Sequence, residues 1–159
     1  MPGAASGRPR PAYAARMIRP LERDDRTSWG ELWDAYLRFY RSPLAEEVTE
    51  ATFERLVARA DGLFGLVAEG ASGRLVGLAH LVFHASTWSV APCCYLEDLF
   101  VAPAARGRGT ARELLDAVYA EADRRRSART YWETQQYNGP ARSLYDQVAR
   151  PTSFVVYER

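Results

Sequence analysis

Hydrophobic positions recur along the chain with two different periods, and the first of them predicts helices. Near the start, apolar residues are spaced three and four apart, which is typical of an amphipathic helix. This helix is expected to begin at Asp24 or Asp25 and to end near Pro43. Its apolar positions are Trp29, Leu32, Trp33, Tyr36, Phe39 and Tyr40. A second helix is predicted over 46–60, with Gly62 closing it.

The apolar pattern then changes to the shorter period of β-strands. Extended segments are predicted over 16–21, 63–69, 74–83, 95–101, 128–134 and 153–157. A long helix is predicted over 107–126 and a short one over 140–148. The resulting order, β-α-α-β-β-β-α-β-α-β, predicts an α/β (α+β) domain in which a central strand leads into a long helix.

Composition and charge exclude several classes of protein. A chain of 159 residues is long enough for one domain with a buried core. Its formal net charge of +1 gives no overall field that would attract nucleic acid or an anionic membrane. No apolar run is long enough to span a membrane, and residues 1–15 are expected to form a flexible leader that lacks the apolar stretch of a signal peptide. The adjacent Cys93 and Cys94 suit a reducing compartment, so a cytoplasmic protein is expected.

The segment between the strand over 95–101 and the long helix carries the most informative motif, Arg106-Gly107-Arg108-Gly109-Thr110-Ala111. The N–H groups in the first turn of a helix have no intrahelical partner, and the helix dipole is positive there. Glycines allow phosphate oxygens to approach this backbone closely, and Arg106 and Arg108 add cationic donors. A diphosphate site is one interpretation; a tight helix entry with two solvated arginines is the other.

Two better-known phosphate motifs do not fit this segment. A P-loop needs four residues between its glycines followed by Gly-Lys-Ser/Thr, and the chain contains no lysine. A dinucleotide fingerprint has a different glycine spacing and follows the first strand of its fold, whereas this turn follows a late strand.

The motif resembles the pyrophosphate-binding signature of the GCN5-related N-acetyltransferase (GNAT) family, Arg/Gln-x-x-Gly-x-Gly/Ala, with Ala111 in place of the second glycine. The flanking segments strengthen the resemblance. They are Tyr95-Leu96-Glu97-Asp98-Leu99-Phe100-Val101 upstream and Tyr131-Trp132-Glu133-Thr134, Asn138, Ala141, Leu144-Tyr145 and Val148 downstream. The residue pattern of these segments is similar to that of the fungal histone, polyamine and D-amino-acid acetyltransferases, one branch of the family. The spermidine/spermine acetyltransferases share the pattern of the first of these segments, the strand over 95–101. The resemblance covers 95–159 well and the N-terminal half only in element order.

The resemblance implies a fold, a cofactor and a set of site residues. The fold is a mixed, mostly antiparallel sheet flanked by about four helices, in one domain over 16–159, and the cofactor is acetyl-coenzyme A. Cofactor contacts are implied for Leu99, Phe100, Val101, Arg106, Gly107, Arg108, Gly109, Thr110, Ala111, Asn138 and Arg142. Tyr145 is implied as the general acid, Glu97 as the general base through a water molecule, and Asp98 as a contact for a cationic end of the substrate.

Several of these residues also have simpler interpretations. Glu97 and Asp98 point to opposite faces of a regular strand, so only a β-bulge would let both serve one site. Asn138 suits a helix N-cap as well as a cofactor contact, and Arg142 suits solvent as well as phosphate.

Other chemistry-bearing residues are expected to be structural. His80 and His84 lie on one face of a strand without a third ligand, so no metal site is expected. Cys93 and Cys94 lack a histidine partner for acyl transfer. The arginine run over 124–126 is expected to be a solvated helix end.

The resulting hypothesis is direct acetyl transfer to the primary amine of a small, cationic acceptor such as a polyamine or amino acid. An acetyl-coenzyme-A sensor or interaction module without turnover, and an enzyme that acts on protein lysines, remain as alternatives. A small-molecule amine is the expected partner, with a homodimer formed through the strand over 153–157.

Overall fold

The structure, a computed structural model, describes residues 15–159. The leader expected over 1–15 therefore lies outside the described residues, apart from Ala15 in the first strand. The strands are β1 Ala15–Pro20, β2 Leu63–Gly70, β3 Leu75–Ser86, β4 Ser89–Val101 and β5 Arg129–Trp132. The helices are α1 Arg26–Tyr40, α2 Glu46–Ala58, α3 Thr110–Arg124 and α4 Gly139–Val148.

The five strands form one sheet in the order β1-β2-β3-β4-β5. The pairs from β1 to β4 are antiparallel, and β5 lies parallel to β4 because α3 connects the two as a crossover. The mixed, mostly antiparallel sheet with four helices is the predicted architecture, which is therefore confirmed.

Helices cover the two faces of the sheet and bury two separate cores. On one face, α3 packs through the fully buried Leu114, Leu115 and Val118, at the spacing of an amphipathic helix. On the other face, Trp29 of α1 and Phe53 of α2 are buried against β2 and β3. The side of the sheet on which a β4 side chain lies can be read from the core that it joins.

Three sequence predictions need correction. The long helix begins at Thr110, not at residue 107, because Gly107 and Gly109 adopt the left-handed conformation and form the turn before it. Residues 153–157 form no strand: their apolar side chains are exposed, and no strand within 15–159 pairs with them. High β-propensity produces a strand only where a partner edge is available.

The arginine run at the end of α3 is the third correction. Arg124 and Arg125 both form ion pairs with Glu121, at 2.7 and 2.6 Å. The Arg125 guanidinium also lies over the ring of Phe83, 4.1 Å from its centroid. Arg125 therefore holds the helix end against the sheet, whereas Arg124 stays largely exposed and pairs only within its helix.

Candidate active site

Strands β4 and β5 separate halfway along β4 and leave a gap in the sheet. Their pairing covers four residue pairs, from Cys93 with Arg129 to Leu96 with Trp132. Beyond Leu96, no strand among residues 15–159 pairs with β4 on that side. The separation opens one edge of the central strand to a ligand.

Backbone amides of β4 face this gap. The Ala102 N–H donates to the Val76 carbonyl at 2.9 Å, so the end of β4 is bonded to β3. Hydrogen-bonding direction alternates along a strand, and the N–H groups of Leu99 and Val101 therefore point away from β3. Two amide donors are thus available where β5 has diverged.

The turn before α3 forms an anion cradle. Gly107 and Gly109 have φ values of +69° and +87°, and a Cβ built on either glycine would meet no atom within 4 Å. The hydroxyl of Thr110 is buried and has no hydrogen-bond partner among the described residues, with the residue only 2% exposed. An orphaned donor beside open glycines at a helix N-terminus suits a phosphate group.

Arg106 is fixed at the edge of this cradle. Its Nε–H donates to the Val101 carbonyl at 3.0 Å. The guanidinium lies 5.5 Å from the Phe100 ring centroid and 5.8 Å from that of Phe39. Its Nη groups extend a positive charge beside the turn, while the side chain links β4 to α1.

A cavity of about 510 Å³ joins the gap and the cradle. Its walls come from β4, the turn before α3, α4 and the end of α1. Of the residues implied as cofactor contacts, those lining it are Leu99, Phe100, Val101, Arg106, Gly107, Gly109, Thr110, Ala111 and Asn138, with Tyr145 beside them. Arg108 and Arg142 do not line it. Phe39 and Tyr40, two of the apolar positions predicted for the first helix, also line the cavity, and neither was among the predicted site residues.

Asn138 and Arg142 both bond within the loop before α4. The Asn138 amide donates to the Thr134 hydroxyl at 3.3 Å and makes no side-chain cap to the helix. The Arg142 guanidinium donates to the Gln136 carbonyl at 2.9 Å. Asn138 reaches the cavity wall while doing so, whereas Arg142 holds the loop.

Tyr145 presents a phenol to the cavity from α4. Its ring packs edge-on against Trp132, with centroids 5.3 Å apart. Burial, with a smaller contribution from Tyr40, raises the pKa of Tyr145 to about 12. The hydroxyl is therefore protonated at neutral pH and available as a proton donor.

A β-bulge at Glu97 resolves the question of the two carboxylates. Leu81 pairs with Leu96 and His80 pairs with Asp98, so Glu97 is an extra residue on β4. Leu96 packs in the α3 core and, after the bulge, Phe100 packs in the α1–α2 core. Strand alternation then places Glu97 and Asp98 on the same side, facing α1.

Asp98 lies in a polar network, and Glu97 lies beside it. Asp98 Oδ2 is 2.9 Å from His80 Nδ1. Tyr36 of α1 is also nearby: its burial, followed by the charge of Asp98, raises the pKa of Tyr36. Partial burial, followed by the charge of Asp98, raises the pKa of Glu97 above its ordinary value. Neither carboxylate is among the residues that line the cavity; both directly precede Leu99, which does line it.

Comparison with known proteins identifies this arrangement. Residues 29–149 match the model of the acetyltransferase (GNAT) family. The chain belongs to the GNAT family. It is an acetyltransferase, and acetyl-coenzyme A is its acetyl donor.

Two curated relatives and one solved structure show how far the similarity extends. The GNAT chain is 34% identical over 144 residues to the D-amino-acid N-acetyltransferase HPA3 of Saccharomyces cerevisiae, covering 90% of this chain and 89% of that protein. It is 30% identical over 142 residues to the uncharacterized N-acetyltransferase YhfO of Bacillus subtilis, covering 88% and 94%. Its fold matches AAC(6')-Iy in complex with the bisubstrate analogue CoA-S-monomethyl-acetylneamine, with a TM-score of 0.78, 22% identity, and coverage of 90% and 96%.

Cysteine and histidine side chains that could carry other chemistry lie outside the cavity of this GNAT chain. Burial raises the pKa of Cys94 to about 11, which leaves little thiolate at neutral pH. His84 Nε2 lies 2.9 Å from the Tyr131 hydroxyl, and no metal-ligand cluster occurs within the described part of the chain. A search of the described helices finds none long and apolar enough to cross a membrane.

Proposed function

We propose that this GNAT enzyme acetylates the primary amine of a small, cationic acceptor by direct transfer. The observation that carries the proposal is the bulge of β4, which turns the carboxylates of Glu97 and Asp98 to one side immediately before Leu99. Two adjacent carboxylates attract an ammonium group and offer an acceptor for its proton. The relatives support an amine acceptor, since one is named for D-amino acids and AAC(6')-Iy was captured with an acetylated aminoglycoside analogue.

Separate groups of residues bind the two parts of the acetyl donor. The cradle of Gly107, Gly109 and Thr110 holds the diphosphate, and the amides of Leu99 and Val101 bind the remainder of the donor along β4. When bound, acetyl-coenzyme A supplies an activated thioester carbonyl.

Two side chains, Glu97 and Tyr145, accept and donate the protons of the reaction. Glu97 accepts the proton of the ammonium group through a water molecule, which leaves the amine free to attack. Tyr145 donates its hydroxyl proton to the leaving sulfur. Asp98 provides the counter-charge that holds the cationic acceptor.

Direct transfer is supported by the state of the cysteines. A covalent acyl intermediate needs a thiolate, and the buried Cys94 has a raised pKa. Cys93 is also buried, and both thiols are free.

A turnover assay tests the proposed function. Purified protein is incubated with acetyl-coenzyme A and a panel of polyamines, D- and L-amino acids and lysine peptides, and free thiol is measured. We expect free thiol to be released when small cationic amines are present. Tight donor binding without release on any amine would favour a sensor, and release with the peptides alone would favour a protein-lysine acetyltransferase.

Glu97→Gln should lower kcat/KM by about a hundredfold and remove the acidic limb of the pH profile. A base acts as its carboxylate, so wild-type kcat/KM falls as pH drops through the raised pKa of Glu97. The matched control is Glu133→Gln, because Glu133 and Glu97 both lie near Tyr95. An acidic limb that disappears in the control and persists in Glu97→Gln would assign the base to Glu133.

A homodimer and a cytoplasmic location are further parts of the proposal. The segment over 153–157 supports the dimer, because Phe154, Val155, Val156 and Tyr157 are exposed in one chain and leave an apolar surface for a second copy. The free thiols support a reducing compartment. Light scattering should give the wild type a molar mass of two chains, and Val155→Asp should lower that mass to one chain. A monomeric wild type would contradict the dimer.

A further inference from the structure

A chain of buried hydrogen bonds runs from α1 through the sheet to Asp98. Trp29 Nε1–H donates to His80 Nε2 at 3.0 Å, and both residues are buried, with exposures of 0% and 4%. His80 Nδ1 lies 2.9 Å from Asp98 Oδ2. This connection was not predicted, because the three residues are distant along the chain and His80 was expected to be structural.

The contact with Trp29 fixes the tautomer of His80. An indole N–H is a donor only, so His80 Nε2 must be the acceptor in that bond. The ring proton is then on Nδ1, where it donates to Asp98 Oδ2. The Trp33 ring, whose centroid is 5.2 Å from that of His80, packs beside the imidazole and restricts its rotation.

Asp98 is oriented by His80 of β3, whose Nδ1–H donates to one carboxylate oxygen. The Asp98 side chain is only 13% exposed, and a buried polar group without such a donor would be costly. Glu97 is next to it on β4, and within residues 15–159 no side-chain hydrogen bond of this kind reaches Glu97, so one carboxylate is fixed while its neighbour is left for chemistry.

We propose that His80 is a positioning residue for acetyl transfer: with its proton held on Nδ1 by Trp29, it fixes the Asp98 carboxylate beside Glu97, where the protonated acceptor amine binds. This inference rests on the proposed function for the reaction itself. The tautomer and the contact with Asp98 belong to the free protein and can be measured without turnover.

The first test observes the imidazole nitrogens directly. Two histidines are present, so a long-range ¹H–¹⁵N spectrum of the full chain holds two ring systems, and His84→Leu assigns them. We expect His80 to carry its proton on Nδ1, and we expect the Nε2 resonance to shift in Trp29→Phe, which keeps an aromatic ring and removes the donor to Nε2. A proton on Nε2 of wild-type His80, or an Nε2 resonance unchanged in Trp29→Phe, would overturn the proposal.

The second test separates positioning from packing. His80→Asn retains a donor near the Nδ1 position, whereas His80→Leu retains bulk alone. In His80→Leu we expect the acceptor KM to rise at least about tenfold, the usual effect of losing a hydrogen bond to a charged group, with the KM for acetyl-coenzyme A unchanged. His80→Asn should recover most of that loss, and His84→Leu should behave as wild type.

A double-mutant cycle on the acceptor KM distinguishes a role of His80 through Asp98 from a purely structural role. If His80 acts through Asp98, adding His80→Leu to Asp98→Asn should change the acceptor KM by less than about twofold. Additive effects, or His80→Asn and His80→Leu being equally impaired, would overturn the proposal. A wild type that acetylates no amine would refute the proposed function instead, and the spectrum would still decide the tautomer.

Discussion

Gly109→Val should weaken coenzyme A binding by at least about a hundredfold, or roughly 2.7 kcal/mol. The space above Gly109 is open, and the buried Thr110 hydroxyl beside it has no partner within the described residues. A branched side chain would fill the volume through which phosphate oxygens reach the first amides of α3. Isothermal titration calorimetry with coenzyme A measures the loss.

The backbone strain of this substitution can be controlled within the same chain. Valine at φ +87° costs stability whether or not a phosphate binds there. Gly73, in the turn between β2 and β3, has φ +81° and equally open space, but it lies outside the cavity. Gly73→Val should therefore lower the melting temperature comparably and leave coenzyme A affinity unchanged. Equal affinity of a folded Gly109→Val protein and wild type would show that the diphosphate binds elsewhere.

Tyr145→Phe should reduce kcat by one to three orders of magnitude, about the range expected for a general acid. The substitution removes the hydroxyl and keeps the ring that packs on Trp132. Because the pKa of Tyr145 is raised to about 12, the wild-type phenol is a protonated donor across the whole neutral range. The acceptor KM and coenzyme A affinity should change little, since the loss is confined to the transition state.

Tyr119→Phe is the matched control for this prediction. Tyr119 also packs near Trp132, with centroids 6.3 Å apart, but its hydroxyl donates to the Val148 carbonyl at 3.0 Å. Losing that bond should cost about 1 kcal/mol of stability and leave kcat unchanged. Wild-type turnover in Tyr145→Phe would mean that another group, or water, protonates the leaving sulfur.

The cofactor half of the site was predictable because its residues are close together in sequence. The six residues from Arg106 to Ala111 form a local turn, and a turn's conformation depends mainly on its own glycines. Tyr145 became a candidate through the downstream segment that resembles the GNAT family, where it stands seven residues after Asn138. It lies on the cavity wall, and its role as the general acid stays a prediction.

The acceptor half depends on strand register and helix placement, which the sequence does not state. Whether Glu97 and Asp98 share a side follows from the pairing of Leu81 with Leu96, a long-range property of two strands. Phe39 and Tyr40 join the cavity wall only because α1 crosses the end of β4. The expected strand over 153–157 is absent for a related reason: its run of apolar residues specifies no partner strand within the described residues.

The bulge has a consequence for how β4 tolerates changes in length. If Glu97 were deleted, Leu96, Asp98, Leu99 and Phe100 would follow one another in ordinary alternation, each on the side that it occupies now. Such a shortened strand would keep both hydrophobic layers intact and lack just one acidic group. We therefore expect a chain that lacks Glu97 to fold with a melting temperature close to that of the wild type and to differ from it in its choice of acceptor.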